Sequence, residues 1–211
     1  MDTENLPPTP KGRDYELRAL GLRDFARLNG DEPLDPFALA QYAKIWVVDF
    51  ADIEGLAPEI REHLTGAGAE AWSGGTCSHN LPNGWRLVIL NPAQGPQRMN
   101  ATLMEEVCHV FLGHLANRLA VVAHDKNGQR LARDYNDADE EAAYSIGAAA
   151  LVPYASLRRF LQRGWTARDI ARHFRVSRPL VEFRLKVTRL WDDYKAAQNV
   201  RALGPDNQPG V

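Results

Sequence analysis

The stretch Thr102-Leu-Met-Glu-Glu-Val-Cys-His-Val-Phe-Leu-Gly-His114 decides the fold that we predict for this chain. Its apolar residues recur at helical spacing: Leu103, Met104, Val107, Phe111 and Leu112. The pattern predicts a helix that begins at Asn100, as its N-cap, and frays near Gly113. Because one face of this helix is apolar, we expect it to be packed on a core although it contains two glutamates and a histidine.

Glu105 and His109 are four residues apart, so both side chains lie on one helix face and can hold one metal ion. Glu106 can then reach a water beside that ion and act as its general base. This is the spacing of the zincin motif His-Glu-x-x-His, with Glu105 in place of the first histidine. The acidic cluster of the next predicted helix is the obvious source of a third ligand: Asp137, Asp139, Glu140 and Glu141.

The same motif also has a structural interpretation. Glu-Glu-x-x-His occurs by chance on helices, and carboxylates near a helix start commonly interact with its dipole. Against this, a buried cluster of two glutamates and a histidine is costly unless it is paired or binds a metal. The residues alone leave both interpretations open.

Three neighbouring side chains receive structural interpretations. His114 follows His109 by five residues, about 140° round the helix, so we expect it off the ligand face, at the helix end or the surface. Cys108 is expected to be a small core residue, because nothing near it suggests an activated thiolate. His79 is expected to be a loop histidine.

The chain has 211 residues, of which 45% are hydrophobic and 25% charged, as in an ordinary globular protein. A strand is predicted at 45–48, too apolar for an exposed edge, and a β-hairpin at 71–92 that turns at Asn83-Gly84. Further helices are predicted over residues 36–44, 137–151, 166–174 and 179–194. Cys77 and Cys108 form no disulfide framework, and the N-terminus lacks the blocks of a secretory signal, so we expect a cytoplasmic protein without a membrane partner.

Basic residues are concentrated in the C-terminal third. Between Leu157 and Leu190, ten basic residues stand against two acidic ones, whereas the whole chain has a net charge of −2. The segment from Thr166 to Leu190 has the spacing of a helix-turn-helix, whose outward arginines could contact DNA or a protein partner: Arg172, Arg175, Arg178 and Arg184. A packed helical pair with a solvated basic face is the favoured interpretation.

Four stretches resemble, in order, the ImmA/IrrE-type metallopeptidases (peptidase M78, DUF955). They extend over about Leu34 to Trp191. They are Trp72-Ser-Gly followed by Val88-Ile-Leu-Asn-Pro, the run from Arg98 to His114, Asp139-Glu-Glu-Ala-Ala-Tyr-Ser-Ile-Gly-Ala-Ala-Ala-Leu-Val-Pro153, and Thr166-Ala-Arg-Asp-Ile-Ala-Arg-His-Phe-Arg-Val-Ser177. The subgroup that this chain resembles has Glu-Glu-x-x-His where the family has His-Glu-x-x-His.

The resemblance implies an α+β fold: a compact zincin-like domain with a small β-sheet packed on the metal-site helix, and a helix-turn-helix-like C-terminal part. The expected divisions are a disordered tail (1–13), the peptidase domain (14–153), the C-terminal part of the same unit (154–195) and a flexible tail (196–211). By motif, Glu106 would be the general base, and Glu105, His109 and Glu140 the metal ligands. Glu140 fits the family pattern acidic-x-x-Ala, and Glu141 is the alternative.

Family members with known roles cut a helix-turn-helix (XRE-type) transcriptional repressor and so switch on prophage, mobile-element or stress genes. The resemblance therefore implies a zinc metalloendopeptidase with such a substrate. Two carboxylates and one imidazole cancel the charge of a divalent ion, which makes its water less acidic and shifts selectivity toward manganese or iron. The alternative is a degenerate site without metal, in a regulator that binds the helix-turn-helix partner, or DNA, without cutting.

Overall fold

A computed structural model of the chain describes residues 5–76, 81–114 and 137–203. The fold is mixed α+β, as predicted, with a small three-stranded sheet among many helices. Asp35–Gly147 form one unit, which we call the inserted unit. Met1–Leu34 and Ala148–Val211 form the other, the terminal unit, whereas the sequence predicts a boundary at Pro153.

The structure describes twelve helices and strands within these ranges. They are α1 (Pro10–Phe25), α2 (Pro36–Tyr42), β1 (Ile45–Val48), α3 (Pro58–Thr65), β2 (Gly74–Thr76), β3 (Arg86–Leu90), α4 (Pro96–Phe111), α5 (Asp137–Leu151), α6 (Tyr154–Gln162), α7 (Ala167–Phe174), α8 (Arg178–Val187) and α9 (Trp191–Leu203). Short 3-10 turns cover Phe50–Asp52, Ala69–Ala71 and Pro82–Gly84. None of the described helices is both long enough and apolar enough to cross a membrane.

The sheet of the inserted unit has the order β1-β3-β2. β1 runs parallel to β3, and β2 pairs with β3 as the predicted antiparallel hairpin. The hairpin turns where expected, with positive φ at Asn83 (66°) and Gly84 (77°). β1 was expected away from an edge, but it is an edge strand of the described sheet, and Trp46 is 58% exposed. Cys77 and His79 lie outside the described residues.

α4 is the central helix of the inserted unit and packs against α2, β2 and β3. Leu103, Met104 and Val107 of its apolar face are fully buried, whereas Phe111 at its end is 39% exposed, and Cys108 is a core residue as predicted. The helix begins at Pro96, one turn before the predicted cap Asn100, because proline is favoured in a first helical turn. A Cβ at Gly74 would lie only 2.9 Å from Cγ2 of Thr102, so the missing side chain lets β2 lie close to α4.

The terminal unit is helical, and its core includes Leu157, Phe160, Ile170, Phe174 and Leu185. The predicted single helix over residues 179–194 is wrong. Two helices cover these residues instead of one, because Arg189 between α8 and α9 adopts the left-handed conformation (φ 61°). The helices also enter both predicted tails: α1 begins at Pro10, capped by Thr9, and α9 reaches Leu203.

The terminal unit contains a buried ion pair between its two chain segments. Nη2 of Arg184 lies 2.5 Å from Oε2 of Glu16, and these side chains are 4% and 1% exposed. The second carboxylate oxygen of Glu16 accepts the Tyr154 backbone N–H, and Nε of Arg184 donates to the Val152 carbonyl. Arg184 is therefore a buried structural residue, and its predicted role as a DNA or partner contact is wrong.

Removing one member of this pair should destabilise the protein strongly. We expect Arg184→Ala to lower the free energy of unfolding by about 3–5 kcal/mol, because it leaves the Glu16 carboxylate buried without its charged partner. Urea unfolding at neutral pH measures the loss, with Arg168→Ala, which removes an exposed arginine, as the matched control. A change no larger than that of the control would contradict the structural role.

Candidate metal centre

Three potential ligand side chains meet where α4 lies beside the start of α5. Glu105, His109 and Glu140 each offer one donor atom, and these atoms all lie within 4.8 Å of one another. Nε2 of His109 lies 3.6 Å from Oε2 of Glu140. The three residues are all partly buried and belong to the inserted unit.

The helical spacing explains this arrangement. Glu105 and His109 are one turn apart on α4, and Glu140 lies in the first turn of α5. Glu141, the alternative ligand, is exposed and is not part of the cluster. The structure thus brings together the three residues predicted as metal ligands, two from one turn of α4 and one from α5.

Glu106 is held by a side chain that the sequence analysis did not single out. Oγ1 of Thr76, the last residue of β2, donates a short hydrogen bond to Oε2 of Glu106. Thr76 lies thirty residues before Glu106 in the sequence, so local spacing cannot predict that the two side chains meet. The hydrogen bond fixes the position of one carboxylate oxygen of Glu106.

Burial of several carboxylates changes the acidity of the site. The pKa of Glu105 is raised to about 7, mainly by burial and then by the negative charges of Glu106 and Glu140. Burial also raises the pKa of Glu106, although the Thr76 hydrogen bond and the charge of His109 oppose the rise. The pKa of Tyr144 on α5 is raised as well, by burial and then by the charge of Glu105.

The donor set fits a divalent cation. Two carboxylates and a neutral imidazole together supply two negative charges, which a dication neutralises, and oxygen and nitrogen ligands of this kind suit zinc, manganese and iron. The charges that act on Glu105 are those of two further carboxylates, so protons or a cation must relieve their repulsion. A metal ion does so without protonating a ligand.

His114 is not where the sequence predicts it. Instead of pointing away from the ligand face, its ring lies beside that of His109, with the two Nδ1 atoms 3.0 Å apart. Its side chain is 13% exposed, and its Nε2 lies 3.5 Å from Oδ1 of Asp139. The 140° projection fails because α4 ends at Phe111, so that residue 114 no longer follows the helix.

The sequence of residues 71–186 matches the protein-family model described as Peptidase_M78, IrrE N-terminal-like domain. The match covers more than half of the chain and includes α4 and α5 with the residues of the cluster. The chain belongs to the peptidase M78 family. Membership implies a metallopeptidase of the IrrE/ImmA type, with which the cluster of ligand side chains is compatible.

Neither the curated proteins nor the solved structures contain a match to this M78 chain in the corresponding comparisons. The geometry of the cluster supports the three metal ligands inferred from the sequence. The general base and the domain bounds stay predictions.

The predicted contact arginines of this M78 chain differ in their surroundings. Arg172, Arg175 and Arg178 are exposed, whereas Arg184 is buried. Arg172 lies 3.7 Å from Asp169 one turn away, and Nε of Arg178 donates to Glu182 at 2.7 Å. Arg175 has a φ of 57° at the C-cap of α7, the turn position where glycine is common.

Metal retention should distinguish Glu140 from its neighbour. In protein purified without chelator, we expect Glu140→Gln to lose its divalent ion, because the site then lacks one of two charged ligands. Glu141→Gln, the matched control, changes an exposed carboxylate one residue away and should retain the ion. Elemental analysis of both variants and the wild type measures this, and equal metal content in the two variants would contradict the ligand set.

Metal affinity should depend on pH through Glu105. With a pKa of about 7 in the metal-free protein, this carboxyl is protonated at lower pH, and an ion must displace the proton to bind. We expect the apparent affinity to fall by about tenfold for each pH unit below 7 for that one proton. Competition titrations with a chelator between pH 5.5 and 8 measure the slope. Glu105→Gln should bind more weakly with a shallower slope, and an unchanged slope would contradict the proton competition.

Proposed function

We propose that this M78 protein is a metal-dependent endopeptidase that cleaves a helix-turn-helix (XRE-type) transcriptional repressor in the cytoplasm. The observation that supports it most is the arrangement on a single helix turn, where Glu106 stands next to Glu105 and three residues before His109. The proposal assigns Glu106 as general base and Glu105, His109 and Glu140 as the metal ligands. Regulation of prophage, mobile-element or stress genes follows from the substrate.

The role of Glu106 is to move one proton through the reaction. Its carboxylate takes a proton from the water that attacks the peptide carbonyl carbon. It then gives that proton to the nitrogen of the departing amine as the peptide bond breaks. A pKa raised by burial suits both steps, because a base is most effective when its pKa lies close to the working pH.

Thr76 positions this base. By donating to Oε2 it orients the carboxylate and favours its charged form, which limits the rise of the Glu106 pKa that burial causes. A divalent ion in the site would supply Lewis acidity toward the carbonyl oxygen and lower the pKa of water. Zinc is the proposed ion, with manganese and iron favoured more by this oxygen-rich ligand set than by a histidine-rich one.

β2 offers a place for the substrate backbone. It is an edge strand of the described sheet, and its last residue, Thr76, contacts the general base. A substrate segment that pairs with this edge in an extended conformation would place a peptide carbonyl near Glu106. The exposed Arg172, Arg175 and Arg178 are proposed as contacts for an acidic part of the same partner or, less favoured, for DNA.

Removal of the general base should separate catalysis from metal binding. We expect Glu106→Gln to keep the divalent ion and to lower repressor cleavage by at least about a hundredfold, because the glutamine amide cannot accept the proton. The substrate is an XRE-type helix-turn-helix repressor, incubated with the metal-loaded protein and followed by gel electrophoresis. Glu141→Gln, with its exposed carboxylate changed, is the matched control and should cleave normally.

Two outcomes would contradict the proposal, one its general base and the other its peptidase activity. Undiminished cleavage by Glu106→Gln would remove Glu106 as the base. An intact repressor that co-purifies equally well with the wild type and with Glu106→Gln would favour the alternative, a regulator that binds its partner without cutting.

A further inference from the structure

A second histidine, His114, and a further carboxylate, that of Asp139, lie next to the cluster of Glu105, His109 and Glu140. His109 lies between two partners, with its Nε2 3.6 Å from Oε2 of Glu140 and its Nδ1 3.0 Å from Nδ1 of His114. Nε2 of His114 lies 3.5 Å from Oδ1 of Asp139. Both histidine side chains are mostly buried, 15% exposed for His109 and 13% for His114.

The end of α4 brings His114 to this position. Gly113 adopts φ +71°, and the backbone N–H groups of Gly113 and His114 donate to the carbonyls of Val110 and His109, at 3.1 and 2.9 Å. These two bonds define a Schellman turn, which reverses the chain at a left-handed residue. The reversal turns the ring of His114 back onto the last helical turn, edge to face with His109.

The distances determine where the protons lie. Two ring nitrogens 3.0 Å apart share one proton, because two N–H groups would collide and two lone pairs would repel each other. The carboxylate of Asp139, 3.5 Å from Nε2 of His114, can only accept, which favours a proton on that nitrogen. In a neutral ring Nδ1 of His114 is then an acceptor, and the shared proton belongs to His109. This arrangement leaves Nε2 of His109 with its lone pair.

We propose that His114 and Asp139 are positioning residues that hold His109 in the tautomer and ring orientation required of a metal ligand. Asp139 orients His114, His114 accepts the Nδ1 proton of His109, and Nε2 of His109 is left to face Glu105 and Glu140. The inference rests on the metal site of the proposed function and adds two residues that bind no ion themselves.

The expected size of the effect follows from other metal sites. Partners that accept the second N–H of a ligating histidine contribute about 10–100-fold to metal affinity when they are removed. The structure supports such a contribution here because both rings are mostly shielded from water, which would otherwise replace the lost partner. Asp139 lies beside His114, which in turn contacts His109, so the proposal predicts that the effect of Asp139 on zinc binding vanishes once His114 is replaced.

Zinc affinity of the full-length, metal-free protein tests the proposal without any peptidase assay. We expect His114→Phe to weaken zinc binding by about 10–100-fold in competition with a chromophoric chelator. His114→Asn should recover part of this loss, because its amide oxygen can accept at the position of Nδ1. Asp139→Ala should bind more weakly than Asp137→Ala, the matched control, which removes an exposed carboxylate from the same helix turn. Adding Asp139→Ala to His114→Phe should cause no further loss.

The Schellman turn provides a second test, which replaces none of the proposed ligands and neither positioning residue. Gly113→Ala strains the turn and should weaken zinc binding by displacing His114. Gly164→Ala is the matched control, because Gly164 ends α6 in the same kind of turn, with φ +75° and open space around its Cα. It should leave zinc affinity unchanged. The visible spectrum of the cobalt-loaded variants should change for Gly113→Ala only.

The outcomes separate this inference from the function on which it rests. If the wild type binds zinc and His109→Ala does not, while His114→Phe and Asp139→Ala bind as tightly as the wild type, the positioning role is overturned and the metal site stands. If neither the wild type nor any variant binds zinc, the metal site and the positioning role fall together. Thermal unfolding of the metal-free variants identifies a misfolded variant, and Gly113→Ala or His114→Asn then decides the question.

Discussion

The mutual repulsion of buried carboxylates is the constraint on which the inserted unit depends. Glu105 and Glu106 on α4 lie beside Glu140 on α5, and burial together with the charges of the other two carboxylates raises the pKa of Glu105 to about 7. A protein that needed only stability would place apolar residues there. The cluster is therefore costly for folding, and its geometry is understandable as a site that accepts positive charge.

The candidate site could be predicted from the sequence where local spacing determines it. Glu105 and His109 are related by one helical turn, and Glu140 opens a helix that the sequence delimits correctly at Asp137–Leu151. The partners that depend on chain reversal or on pairing between distant segments could not be found in this way. Thr76 reaches Glu106 from a strand, and His114 returns to His109 because a left-handed glycine ends the helix.

The fold shows the same division. The strand at Ile45–Val48 and the hairpin were predictable from β-branched residues and the Asn-Gly turn. Arg189 was not expected to end a helix, because a non-glycine residue with positive φ leaves no local signal. Arg184 looked like an outward arginine, since its burial depends on Glu16, far away in the sequence.

The ion pair between Glu16 and Arg184 has a consequence for biosynthesis. The residues of the inserted unit, Asp35–Gly147, are all translated before Arg184. Glu16 thus waits in the nascent chain without its guanidinium partner while the proposed zinc ligands are already present. A product truncated before α8 would keep the candidate ligand residues, but the Glu16 carboxylate would lack its ion-pair partner and the terminal unit would lose Leu180, Val181 and Leu185 from its core.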